Sequence, residues 1–242
     1  MEEITLILNA CEKRIQFILL EETAFLLAEE TEPQKGGTDN LILSIQNACK
    51  NLSLLPQQIK KIASVSGPGN FMGIRLTATI AAALARANQG LQANLNFMEL
   101  LAYNFVGKDY EKIHVITPAT KDLVHSQLFE YKNKKPYPIN QLSLIPYTEI
   151  TTISCNYLVG SALRTEKINL ENFPSYILPE QFDSPSINSL CTAINFCNWQ
   201  KEDITPIYLK ECDAIQNLKH IAEQQGRDAN KSREELDRLL RT

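Results

Sequence analysis

The segment Gly67-Pro68-Gly69-Asn70-Phe71-Met72-Gly73 is where residue types and spacing come closest to chemistry. Glycine tolerates positive φ and lets a backbone or a ligand approach closely. Backbone N–H groups at the start of a following helix can hold an anion. The spacing, however, is G-x-G-x-x-x-G rather than the dinucleotide G-x-G-x-x-G, and no Gly-Lys-Ser/Thr follows. The competing reading is a tight structural turn built on Gly67 and Gly69, with Asn70 capping the helix and Gly73 letting it pack closely. Other catalytic patterns are weaker. His114, His125 and His220 form neither His-x-x-x-His nor His-Glu-x-x-His, so no helical metal site is spelled out. Ser66 has Ser64 two positions before it, which removes the G-x-S-x-G nucleophile elbow. Cys191 and Cys197, six apart, do not share a helical face and read as core packing.

The second candidate is the turn Leu8-Asn9-Ala10-Cys11-Glu12-Lys13-Arg14. In ATPases that open with a duplicated β-meander, this turn grips phosphate, with an acidic residue ending the first strand. Here Asn9 ends the strand and the turn holds no glycine. A carboxamide can hydrogen-bond a metal-bound water but lacks the charge that holds Mg²⁺ or acts as a base. Glu12 is a substitute carboxylate or, on the preferred reading, a solvated turn residue. Phosphotransfer is weakened accordingly.

The elements that must position these residues follow from periodicity. Runs at Ile4–Leu8, Ile15–Leu20 and Thr23–Glu29 predict a meander. A loop over 31–38 follows, and Asp39 is the expected N-cap of a helix over about 40–52. On that helix Leu41, Ile45, Ala48, Cys49 and Leu52 share one face, while Leu43, Asn47 and Lys50 point the other way. Pro56 opens a helical turn, Ile62–Ser66 reads as a buried strand, and a helix runs from the glycine turn to about Asn88. A further helix spans Phe97–Phe105. A second cycle comprises strands at Ile113–Thr117, Val124–Tyr131 and Tyr157–Gly160, a helix at Ile187–Cys197, and a strand-like Ile207–Leu209. Two successive meander-then-helix units predict a duplicated α/β fold.

The helix over 74–88 is apolar on two sides. Leu76, Ile80, Ala83, Leu84 and Ala87 make one stripe; Ile74, Ala78, Ala81, Ala82 and Ala85 make another. Such a helix should be buried on both flanks. The larger stripe suits the chain's own sheet. The small-residue stripe suits close approach of another helix, internal or from a second chain.

Composition narrows the class. The 242 residues carry 24 basic and 28 acidic side chains, a net charge of −4, which disfavours coating nucleic acid by bulk electrostatics. Met1-Glu2-Glu3 is unlike a secretory signal, and the longest apolar run, Ile80–Ala85, is too short to span a bilayer. The six cysteines form no Cys-x-x-Cys pair and read as reduced core thiols. A cytoplasmic protein is expected.

Together, Ser66-Gly67-Pro68-Gly69-Asn70-Phe71-Met72-Gly73-Ile74-Arg75 resembles the Gly-Pro-Gly-Ser-Phe-Thr-Gly-Leu/Ile-Arg signature of the bacterial TsaB (YeaZ) family. Weaker matches flank it: Pro118–His125 where that family has an Asp-Ala-Arg-x-Gly-Glu-Val-Tyr hairpin, Tyr157-Leu158-Val159-Gly160, and Pro206-Ile207-Tyr208-Leu209-Lys210. The resemblance implies an α/β fold of the actin-like (ASKHA, ribonuclease H-like) kind, with two duplicated halves, each a mixed sheet with helices. It also implies a role in making threonylcarbamoyladenosine in tRNA as a non-catalytic subunit. The implied partners are a TsaD-like catalytic protein and a TsaE-like ATPase, with a homodimer as a second assembly, weak or indirect tRNA contact and no membrane. No cofactor or metal is implied for this chain; any nucleotide at the subunit interface would be held mainly by the partner. The implied interface lies on the helices over 40–52 and 74–88, through Leu43, Asn47, Lys50, Ile74, Ala78, Ala81, Ala82 and Ala85. The sequence departs from the family at Asn9-Ala10, where Asp-Thr is usual, and in the second hairpin.

The expected divisions are 1–106 and 107–209 for the two halves, a C-terminal helix over 210–225 packing back on the first half, and a polar tail over 226–242. Ser232-Arg233-Glu234-Glu235 before Leu236, Leu239 and Leu240 predicts a short amphipathic helix in that tail. The alternative functions are an ATPase or kinase of the same fold acting alone, and a glycoprotease-like hydrolase.

Overall fold

The computed structural model of the chain describes residues 3–22, 24–31, 40–168, 173–209 and 228. Asp39, the 31–38 loop beyond Thr31, Cys212, His220, the helix expected over 210–225 and the tail helix lie outside the described residues. Residues 1–207 form one compact unit and 208–242 a second.

In the first unit, β1 (Ile4–Asn9), β2 (Ile15–Glu21) and β3 (Ala24–Thr31) make the antiparallel meander. β4 (Ile59–Val65) pairs parallel to β1, and β5 (Leu91–Leu95) parallel to β4, giving the order β3-β2-β1-β4-β5. A second sheet repeats this path. β6 (Lys112–Pro118), β7 (Leu123–Lys132) and β8 (Lys135–Pro138) are antiparallel, and β10 (Tyr157–Val159) and β11 (Tyr176–Ile177) add parallel to β6. The order β8-β7-β6-β10-β11 matches the first sheet strand for strand, and β9 (Ser143–Pro146) pairs with the start of β7. This is a duplicated α/β fold.

All six residues of β1 are buried because both faces of its sheet are covered. Ile4, Leu6 and Leu8 pack with α1 (Leu41–Asn51) and α2 (Phe71–Asn88). Ile7 joins the other core with α3 (Phe97–Tyr103) and residues of the second sheet, such as Val115 and Phe129. α1 begins at Asn40 without a side-chain cap. β5 carries Gln92 and Asn94 between its apolar residues, which masks it in sequence; Gln92 pairs with Gln200 across the sheet edge. β8 and β9 are hidden by Pro136, Pro138 and Pro146, tolerated because these strands are short and peripheral.

Two expectations are corrected. The helix starting at Ile187, α4, ends at Ala193 rather than Cys197, capped at its start by the Ser186 hydroxyl. Ile207 is not in a strand; its N–H donates to Ser66 O at 2.7 Å, a single docking bond at the end of β4.

Candidate functional site

The glycine turn is a structural turn. Asn70 Oδ1 accepts from Met72 N at 3.0 Å and Gly73 N at 3.4 Å, and Ile74 N donates to Asn70 O. α2 therefore starts at Phe71, and Gly73 lies inside its first turn. The N–H of Asn70 donates to Cys11 O at 2.5 Å. Gly69, at φ +158°, leaves a gap in which a Cβ would stand 2.2 Å from Cys11 O, and a Cβ on Gly73 would stand 1.9 Å from Ala10 O. The carbonyls of the first hairpin thus occupy the space over the helix start, and its donors are spent inside the chain. That removes the anion-binding reading. Gly67, at φ +113°, receives Phe97 N on its carbonyl and ties α3 to the same turn.

The first hairpin is locked in the same way. The Asn9 carboxamide is buried, accepting from Cys11 N at 3.1 Å and donating to Gln16 Oε1 at 2.7 Å. Gln16 Nε2 donates onward to Glu30 Oε2 at 2.7 Å and Pro185 O at 2.9 Å, while Arg14 pairs with Glu30 at 2.7 Å. Asn9 thus spends its carboxamide oxygen and one N–H within the hairpin and, buried there, does not reach out to a metal-bound water. In the second hairpin, Thr120 Oγ1 accepts from Asp122 N and Leu123 N, and Ala119 N and Thr120 N both donate to Leu123 O.

Glu12 is not a solvated turn residue. It is half-buried, and Ser161, just after β10, donates its hydroxyl to Glu12 Oε1 at 2.9 Å. Burial pushes the Glu12 carboxyl up to about 7; the nearby Asp183 charge adds to this, while Ser161 and Lys13 oppose it. Asp183 is itself engaged: Arg164 Nε reaches Oδ2 at 2.7 Å, and Gly160 N donates to Oδ1 at 3.0 Å. The sequence reading missed Ser161, Arg164 and Asp183. They lie in irregular segments with no periodic pattern, and only the fold brings them opposite Glu12.

His114 Nε2 and Ser126 Oγ lie 2.7 Å apart, a distance suited to a base and a nucleophile. Both are fully buried, however. Burial pulls His114 down to about 4, and among the described residues its Nδ1 has no partner to orient the ring. A hydrolytic pair needs access and an oriented base with a pKa near working pH, and this pair has neither. Cys11 and Cys49 are buried free thiols raised by burial, and Cys155, Cys191 and Cys197 are half-buried free thiols.

The face assignment on α2 is met only in part: Ile80, Leu76 and Leu84 of the larger stripe pack inward as expected, while Ala83 and Ala87 do not, and much of the small-residue stripe is buried as well. Ile74 and Ala81 are fully buried and Ala85 nearly so, all packed inside this chain. They sit with Thr77 and Asn88 on the face turned to the sheet, so none of the three is open to a second chain. Ala78 and Ala82 are half-buried on the flank, and Ala83 and Ala87 are exposed. On α1, Leu43, Asn47 and Lys50 are exposed, with Leu43 at 55% beside Ile42 at 58%.

The model of the family described as TsaD: tRNA N6-adenosine threonylcarbamoyltransferase matches residues 33–238, most of the chain. The chain belongs to this family. The tRNA threonylcarbamoyladenosine biosynthesis protein TsaB of Bacillus subtilis (strain 168) is 27% identical over 116 residues, 48% of this chain and 50% of that protein. The chain thus aligns with about half the length of that curated relative. YeaZ from Pseudomonas aeruginosa superposes with a TM-score of 0.69 at 16% identity, over 86% of this chain and 100% of that one. A protein described as similar to peptidase YEAZ from Pseudomonas aeruginosa does so with 0.65 at 17%, over 86% and 100%. At these identities the structural likeness speaks for the fold alone, the duplicated α/β architecture described above. Among the described residues no helix is long and apolar enough to cross a membrane, and no three His, Cys, Asp or Glu side chains group as metal ligands.

Proposed function

We propose that the chain acts in tRNA threonylcarbamoyladenosine biosynthesis as a non-catalytic subunit that binds and supports a TsaD-like catalytic protein. The observation that carries this reading is the filled first hairpin. Where an ATPase of this fold would grip phosphate, the Ala10 and Cys11 carbonyls seat on Gly73 and Gly69, and Asn9 is tied to Gln16. Catalysis by the chain alone would need donors and a carboxylate that the turn keeps for itself. The exposed α1 face gives a partner something to bury: Ile42 and Leu43 stand out of a surface otherwise carrying Asn47 and Lys50. A TsaE-like ATPase joins the assembly through the catalytic partner, and any nucleotide at the interface is held mainly by that partner. The setting is cytoplasmic.

The test is binding of the purified chain to the TsaD-like protein of the same organism, by calorimetry. Leu43→Asp and Ala82→Arg are expected to weaken binding at least about tenfold each, the loss typical of an interface hot spot, while melting as the unaltered chain does. The chain alone is expected to show no ATP hydrolysis above background. Full-strength binding by the double variant would remove this interface.

A further inference from the structure

A second concavity, distinct from the hairpin turns, opens between the end of β5, α3 and the segment after α4. It has a volume of about 220 Å³. Glu99 and Tyr103, one turn apart on α3, line it together, with Asn94 and Asn198 at its polar rim and Leu100 and Phe196 as apolar wall. Glu99 stands in the first turn of α3, where the positive end of the helix favours its charge but supplies no ionic partner. Among the described residues its carboxylate has no ion pair and accepts no hydrogen bond, and the Tyr103 hydroxyl has no acceptor. Burial raises both groups, and the Glu99 charge raises Tyr103 further. The nearby cations are engaged elsewhere. Lys135 Nζ sits 3.6 Å over the Phe196 ring, and Lys61 lies over Trp199 and 3.9 Å from Glu3.

A half-buried carboxylate that the chain does not neutralise is unfavourable unless something brought to it is positive. A metal ion would want several hard oxygen ligands, and one carboxylate among neutral amides is a poor cage. An ammonium group fits better. Its three donors match one carboxylate plus neutral oxygens such as a tyrosine hydroxyl or a carboxamide, and a short carbon stem would lie along Leu100 and Phe196.

We propose that this cavity binds a small primary ammonium compound, with Glu99 as its counter-charge and Tyr103 as a hydrogen-bond acceptor. The probe is butylammonium, titrated into the full chain and followed by amide NMR shifts. Saturable shifts are expected in 94–103 and 193–198, with a dissociation constant on the order of 1 mM, appropriate to so few heavy atoms. Glu99→Gln should weaken binding at least about tenfold, the size of a lost charged hydrogen bond, and Tyr103→Phe should weaken it less. Butyrate, with nearly the same stem and the opposite charge, tests the wild-type chain without any mutation and should cause no saturable shift. An N-acetyl-lysine methylamide arm separates the two sources of such a group. Binding as tight as butylammonium assigns the cavity to a partner's lysine side chain, and weaker binding assigns it to a free amine. Absence of saturable shifts with butylammonium, equal binding by Glu99→Gln, or equal binding of butyrate would overturn the proposal.

Discussion

Single atoms decide the glycine turn. A Cβ at position 73 would stand 1.9 Å from the Ala10 carbonyl oxygen, and backbone cannot yield as a flexible side-chain end does. Alanine is the better helix former by about 1 kcal/mol, yet Gly73→Ala is expected to destabilise the chain by about 2–4 kcal/mol through overpacking, read from urea denaturation. Equal or greater stability would mean the hairpin is free to move off the helix. Two buried titrations set the pH response. Glu12 rises from 4.5 to about 7, so between those values the native state holds a proton the unfolded chain has released, and stability falls as pH rises. His114 drops from 6.5 to about 4, so the unfolded chain holds the extra proton and stability rises with pH across that window. The two slopes oppose each other between about pH 4.5 and 6.5, and Glu12, partly exposed, contributes the smaller share after solvent screening. Glu12→Gln should therefore steepen the rise in denaturation midpoint from pH 4.5 to 6.5. An unchanged pH profile would show that Glu12 ionises normally.

At the level of elements, α2 shows how a two-sided apolar helix is resolved. Periodicity finds both stripes correctly but carries no sign that says which one meets the sheet. The sheet surface presented by β1 and β4 takes Ile80, Ala81 and Ala85, while Ile74 joins the other core with Ile7, and Ala83 and Ala87 stay outside. Adjacent alanines should then behave oppositely. Ala81→Arg buries an unpaired charge and should unfold the chain or cost several kcal/mol. Ala82→Arg should leave the thermal midpoint within a few degrees. Similar melting of the two variants would contradict the face assignment.

Across the whole first unit, polar bonds stitch the two sheets where the hairpins meet. Ser161 reaches Glu12, Gln16 reaches Pro185, and the Asn104 carboxamide holds Phe182 O at 3.0 Å, Ser184 O at 2.6 Å and Ser186 N at 2.8 Å. Removing Asn104 strands three backbone groups at once. Asn104→Ala is expected to cost about 1–3 kcal/mol and to raise hydrogen exchange in 182–186 before the rest of the unit. Uniform exchange with no local change would show that Asn104 is not what holds the segment.

Much was legible in the residues alone. Alternating and helical spacing is a local property, so the meander, α1, α2 and β6–β7 stand where the pattern puts them, and Asn70 and Gly73 play the roles that cap and close-approach chemistry assign. Glycine, proline and side-chain volume act within a few residues, and sequence records those distances directly. Partnership across the chain is another matter. That Glu12 meets Ser161, 149 residues away, that Asn9 is spent on Gln16, and that α2 turns its small residues inward depend on which surfaces come together. Burial and dielectric, which move the Glu12 and His114 protons, are created only by that assembly.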